Sequence, residues 1–185
     1  VAEANSALFV NVDVDLLRRS LKEDLDTHPR TIPSDLDSDR LLSVLRTLYR
    51  DWSVAGAAER ERSYGPVLRE LQTLFPNPSP AVRVLVPGAG LSRLLFDIAR
   101  LGFAVQGNEF SLLMMFMSNF ILNVCEEENA CTFYPWIHSH INIRDPADIL
   151  APCHAPDVCP RRVAQTEHLV YNMAAGDFLE VYQHV

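Results

Sequence analysis

Residues 82–123 read VRVLVPGAGLSRLLFDIARLGFAVQGNEFSLLMMFMSNFILN. Val82, Val84, Leu85 and Val86 form the short β-branched run that a buried parallel strand needs. Pro87-Gly88-Ala89-Gly90 interrupts it. Leu91, Leu94, Leu95, Ile98 and Ala99 then return at helical spacing, and Phe103, Ala104 and Val105 read as the next strand, with Glu109 just past its end. Strand, glycine turn, helix, strand and acidic strand end make one half of a nucleotide-binding α/β unit. A glycine turn lets the backbone approach a bound group because no Cβ intervenes. A carboxylate about 20 residues further on can accept both hydroxyls of a ribose.

The turn narrows the choice of nucleotide. The dinucleotide fingerprint G-x-G-x-x-G is broken, because Arg93 stands where its third glycine would be. No G-K-[ST] follows, so a P-loop is excluded as well. Two glycines and a ribose-binding acid without a phosphate cradle suit a nucleoside cofactor such as S-adenosylmethionine. On spacing alone, other nucleotide-binding α/β modules, including NAD-binding ones, stay open.

The residues carry a closer likeness. VPGAGLSRLLFDIARLGFAVQGNEFS, then SNFILN and Tyr134-Pro135-Trp136-Ile137-His138, resembles the carnosine N-methyltransferase family. Arg50-Asp51-Trp52-Ser53, Gly56, Glu59-Arg60 and Tyr64 are similar to its upstream signature, and Met173-Ala174-Ala175-Gly176-Asp177-Phe178 with Tyr182 to its downstream one. The likeness runs over residues 41–185. It implies an incomplete Rossmann-like class I methyltransferase sheet with an N-terminal helical extension, and S-adenosylmethionine as cofactor. The reaction it implies is methylation of the histidine imidazole of carnosine, giving anserine, or of a related peptide.

By the same resemblance Gly88 and Gly90 bring the backbone to the methionyl and ribose end, and Glu109 holds the ribose. Asp177 and Phe178 meet the adenine, and Arg50 reaches the cofactor carboxylate, for which a forked guanidinium is suited. The family's glutamine one turn before that arginine is Thr47 here, and Ser92 replaces a glycine usual in the turn. No catalytic residue is assigned, because the groups that grip the dipeptide in the family lie downstream of the Gly-Asp-Phe motif, beyond Val185. His138 and His140 are not taken as general bases, since methyl transfer from a sulfonium depends chiefly on positioning. Two rivals follow: a truncated or pseudoenzyme form that binds cofactor or a partner without catalysis, and a different nucleotide-binding module.

Composition agrees with one globular domain: 185 residues, 48% hydrophobic and 22% charged. A net charge of −8 argues against general nucleic-acid binding, which needs Lys and Arg on phosphates. No apolar run approaches the ~20 residues that span a bilayer, and the start lacks a basic signal-peptide region and an initiator methionine, as in a fragment or processed chain. Cys125, Cys131, Cys153 and Cys159 lack paired zinc-ligand spacing, so no metal is expected and reduced thiols are. The expected location is the cytoplasm, with the nucleus as a second compartment.

Three regions emerge. Residues 1–40 read as an acidic arm with a short helix over 16–25. Residues 41–80 hold two amphipathic helices and a proline linker, with Asp39 placed to cap the first and Leu41, Leu45, Leu48 and Trp52 on its buried face. Residues 81–185 form the N-terminal part of the methyltransferase domain. Within it Ser111 caps a helix to about Cys125 whose Met/Phe stripe reads as core, 135–165 is irregular with a helical turn over 147–150, and 168–173 is a strand. An incomplete sheet leaves an edge open, which makes a homo-oligomer an expected partner state.

Overall fold

The computed structural model describes residues 35–137 and 145–183. The expected helix over 16–25, most of the acidic arm, His138 and His140 lie outside them. Helix α1 (Asp35–Trp52) starts earlier than expected, so Asp39 lies inside it and does not cap it. Its buried stripe is Val44, Leu48 and Trp52, one residue per turn, while Leu41 is half exposed and Leu45 only borders the core. Helix α2 (Ala57–Leu74) follows, its Leu68 and Leu71 packed against that core.

A three-stranded parallel sheet carries the rest: β1 (Arg83–Pro87), β2 (Ala104–Glu109) and β5 (Val170–Ala175), with β2 in the middle. Helix α3 (Arg93–Arg100) makes the crossover from β1 to β2 and buries Leu95, Phe96, Ile98 and Ala99. It begins two residues later than the apolar spacing suggests, because Ser92 is in the left-handed region, φ 63°. Glu109 is the last residue of β2 rather than a residue beyond it.

The long connection from β2 to β5 holds more structure than prolines led us to expect. Helix α4 (Leu112–Asn119) is capped by the Ser111 hydroxyl, which accepts from the Met114 N–H. It passes into a π-helical turn, Phe120–Val124, so the expected single helix to Cys125 changes its hydrogen-bond pattern midway. Met115 of its Met/Phe stripe is buried, while Met114, Phe116 and Met117 pack at the core margin. Strands β3 (Cys131–Phe133) and β4 (Cys153–Ala155) pair antiparallel. The expected turn is a 3-10 helix, Pro146–Leu150, with a capping box between Asp145 and Asp148. Helix α5 (Pro160–Glu167) leads into β5, and a four-residue helix α6 (Phe178–Val181) follows it. Short strands and a proline-started helix have little periodicity to read, which is why β3, β4 and α5 escaped the sequence.

Among the described residues no helix is long and apolar enough to cross a membrane. Burial raises the Cys153 thiol and pushes Cys125 up to about 11, so these thiols pack as small apolar groups. Gly107 sits in β2 where α3 and β5 close on the sheet. A methyl added there would overlap Met173 Sδ and lie 2.7 Å from Leu95 Cδ1 and 3.0 Å from Ala89 Cβ. Gly107→Ala is therefore expected to cost about 1–3 kcal/mol of stability by overpacking. Urea unfolding checks this, and an unchanged midpoint would show that the strand, helix and turn are not in contact there.

Candidate functional site

All three parallel strands end on the same side, and the predicted residues gather at those ends. β1 gives way to Gly88 and Gly90, both at positive φ, 60° and 53°. L-residues pay roughly 1–2 kcal/mol for that conformation and glycine does not. Nothing lies within 4 Å of the position a Cβ would take on Gly88, so its bare backbone faces open space. The neighbouring strand end pins the turn. Asn108 accepts from the Ala89 N–H at 2.8 Å through its backbone oxygen, and the Glu109 Oε2 accepts from the Gly90 N–H at 2.8 Å. The other carboxylate oxygen, Oε1, accepts from the Ser111 N–H at 2.7 Å.

The end of β2 grips β5 as well. Glu109 accepts from the Gly176 N–H at 3.0 Å through its backbone oxygen. The Asn108 amide donates to the carbonyls of Ala174 and Gly176 at 3.3 and 3.1 Å. Asn108 is nearly fully buried and belongs to the site's frame. The sequence offered no sign of it, because a polar residue before an acidic strand end has many ordinary roles. Gly88, Gly90, Glu109 and Asp177 thus belong to one rim at the carboxyl ends of adjacent parallel strands. Open α/β sheets bind ligands in that position.

Each carboxylate oxygen of Glu109 has one lone-pair direction occupied by a backbone N–H and retains capacity for another donor. Asp177 has a structural task too: its Oδ1 accepts from the N–H groups of Leu179 and Glu180 at 2.8 and 3.4 Å and caps α6. Phe178 is partly exposed and lies against Tyr182, ring centroids 5.0 Å apart.

Helix α1 covers the turn from the other side. The Thr47 methyl is the nearest group to where a Cβ would stand on Gly90, at 3.9 Å, while its hydroxyl donates back to the Ser43 carbonyl at 2.9 Å. One turn on, Arg50 does not extend toward the strand ends. Its Nε donates to Asp51 Oδ1 at 2.7 Å and its Nη2 to the Tyr64 hydroxyl at 2.9 Å, and the Tyr64 hydroxyl donates to the same Asp51 oxygen at 2.9 Å. Burial, with the Asp51 carboxylate adding to it, pushes the Tyr64 phenol up, so the hydroxyl remains a donor. Asp51 is 1% exposed and its Oδ2 has no hydrogen-bond partner. Tyr182 Oη is the other buried side-chain atom in that state among the described residues. The two orphans sit beside Arg50 and on the ring packed against Phe178.

Ser92 shows how the turn tolerates a residue other than glycine. Its left-handed backbone is held by a buried hydroxyl pair with Ser118 at 2.6 Å and a contact to Met173 Sδ at 3.3 Å. Arg93, which breaks the dinucleotide fingerprint, is buried with its guanidinium 4.8 Å above the Trp52 ring. Trp136 of the Tyr-Pro-Trp motif meets Tyr49 edge-on at 5.2 Å, which brings that motif to α1. Among the described residues no three or more His, Cys, Asp or Glu side chains group as metal ligands.

Fold and site together define a mixed α/β domain with a parallel sheet, compatible with a methyltransferase fold. The family model for carnosine N-methyltransferase matches residues 27–185, and the chain belongs to that family. It is 45% identical over 162 residues to the carnosine N-methyltransferase of Mus musculus, covering 85% of this chain and 40% of that one. Identity to the Schizosaccharomyces pombe protein of the same name is 47% over 148 residues, 77% of this chain and 39% of that one. It is 44% to the Drosophila melanogaster carnosine N-methyltransferase unmet over 144 residues, 76% and 31% respectively. The matched segment thus spans at most 40% of the length of these relatives.

Proposed function

We propose that this chain forms the cofactor-binding part of an S-adenosylmethionine-dependent N-methyltransferase of the Rossmann-like class, acting on the histidine imidazole of carnosine or a related peptide. The observation that carries the reading is the Glu109 carboxylate, pinned at the end of β2 between the Gly90 and Ser111 N–H groups. A ribose laid across the strand ends would use its remaining acceptor capacity. Gly88 and Gly90 would admit the methionyl end against bare backbone, and Asp177 and Phe178 would flank the adenine. Family membership and the names of the relatives support the reaction class and the acceptor.

The buried orphan oxygen of Asp51 fits such a cofactor. Asp51 Oδ2 is an acceptor that would suit the ammonium of an amino-acid end, and Arg50 would pair with its carboxylate on leaving Asp51 and Tyr64. The Tyr182 ring, packed on Phe178, would back it on the adenine side. When bound, the cofactor supplies a methyl on a positive sulfonium. The chain's own residues bind and orient it, and the acceptor imidazole provides the lone pair, so placement governs the rate.

Isothermal titration with S-adenosylmethionine and with NAD tests the cofactor. Binding of the former and not the latter is expected; a preference for NAD would replace this reading with a dinucleotide-binding module. In the whole enzyme of which this chain is the cofactor-binding part, transfer of labelled methyl to carnosine and none to β-alanyl-alanine is expected; equal labelling of both would remove the imidazole from the proposal. Thr47→Gln, which restores the residue usual in the family, is expected to tighten S-adenosylmethionine binding several-fold. An unchanged affinity would show that α1 does not reach the ligand from that position, and a weaker one that the longer side chain does not fit there.

A further inference from the structure

We propose that Asp157 is a positioning residue for the methionyl end of the cofactor site, acting through Arg60 and Arg93 on the last turn of α1. This rests on the cofactor reading above. The last carbonyls of a helix lack intrahelical partners and carry partial negative charge. Here every carbonyl from Arg50 to Ser53 is met by a tertiary donor. Arg60 Nη1 donates to the carbonyls of Arg50, Asp51 and Ser53 at 2.9, 3.2 and 3.0 Å. Arg93 Nη1 also donates to the Asp51 carbonyl, at 3.0 Å, and the Asp157 N–H donates to the Trp52 carbonyl at 2.7 Å.

Asp157 holds both arginines in place. Its Oδ2 pairs with Arg60 Nη2 at 2.6 Å and its Oδ1 with Arg93 Nη1. Arg93 Nε turns the other way, to Asp97 at 3.0 Å. The side chains of Arg60, Arg93 and Asp157 are each about nine-tenths buried. Burial pulls the Arg60 guanidinium below its ordinary value and Arg93 beside it acts in the same direction, while Asp157 opposes both. Two buried cations so close together need that carboxylate between them.

What this arrangement aims is α1. The Trp52 indole N–H donates to the Leu91 carbonyl at 2.9 Å, which ties the helix end directly to the residue after Gly90. Thr47 and Arg50 lie within the two turns before it. Asp157 comes from the segment after β4, and its hydrogen bonds go to the Trp52 carbonyl, Arg60 and Arg93 rather than to the glycine turn or Glu109. It can therefore alter how α1 sits over the methionyl end while leaving the ribose and adenine contacts of β2 and β5 unchanged.

That separation supplies the test. Affinities of the purified chain for S-adenosylmethionine and for methylthioadenosine, which lacks the amino-acid end, are compared in Asp157→Asn. The expected result is about tenfold weaker binding of S-adenosylmethionine with methylthioadenosine within twofold of the parent, and recovery of part of the loss in Asp157→Glu. Equal weakening of both ligands, or of neither, would overturn the positioning role. Failure of the parent chain to prefer S-adenosylmethionine over methylthioadenosine would instead overturn the cofactor reading beneath it. Should Asp157→Asn not fold, Arg60→Lys gives the same ratio test, since it keeps the charge but cannot reach Asp157 and three carbonyls together. An unchanged ratio in that variant overturns the proposal equally.

Discussion

Trp52→Ala is expected to destabilise the chain by about 3–5 kcal/mol, the range for emptying a well-packed aromatic site. Trp52 has no exposed surface, its ring lies 5.6 Å from Phe96 at a tilt, and the Arg93 guanidinium covers its face. The substitution removes that volume between α1 and α3 and leaves the Leu91 carbonyl without its indole donor. Surrounding elements can fill little of the space, because α1 is held at its end by Arg60 and Arg93. Trp52→Phe separates the two contributions: most of the volume returns but the hydrogen bond does not, so a loss of about 1–2 kcal/mol is expected. Urea unfolding of the three forms decides it. A cost below about 1 kcal/mol for the alanine variant would mean that α1 is not packed on the glycine turn as described.

Glu109→Ala is expected to raise the Kd for S-adenosylmethionine by on the order of 30- to 100-fold, about 2–3 kcal/mol, the scale for losing hydrogen bonds to a charged group. The effect has two physical sources. The carboxylate is the proposed ribose acceptor, and it also holds the Gly90 N–H at 2.8 Å and the Ser111 N–H at 2.7 Å. Without it the glycine turn is free of β2's side-chain anchor, and the ligand would have to order it. Glu109→Gln keeps one carbonyl oxygen and one of those anchors, so a smaller loss is expected. Calorimetry on the three proteins checks the order. Equal affinities in parent and alanine variant would remove Glu109 from the ligand altogether.

That double use of Glu109 marks the limit of reading the site from sequence. Its distance from the glycine turn pointed to a ribose acceptor, and the structure sets its carboxylate against the Gly90 N–H at the strand ends. Its grip on Gly90 was not legible, because spacing says where a carboxylate falls along a strand and nothing about which N–H it turns toward. Arg50 makes the same point. The resemblance placed it at the cofactor, and the helix does carry it to within one turn of Thr47, yet its guanidinium is committed to Asp51 and Tyr64. The Val44, Leu48 and Trp52 stripe differs from the expected one by a rotation of the helix. Several apolar faces of α1 were equally regular, and only contact with α3 and the glycine turn selects among them.

β1, the turn, α3 and the start of β2 were legible in the order of residues, because their signals lie within a few positions of one another: β-branched strand residues, glycines able to take positive φ, and apolar side chains at helical spacing. The sequence by itself determined through the order of its motifs which family the chain belongs to. The tertiary structure alone decided that β2 lies between β1 and β5, and that Asp157 joins Arg60, 97 positions before it, to Arg93, 64 before it. Ion pairs over such separations have no period and no preferred spacing. They come into being only when packing of α1 against α2, α3 and β4 strips water from the arginines and leaves one carboxylate within reach of both.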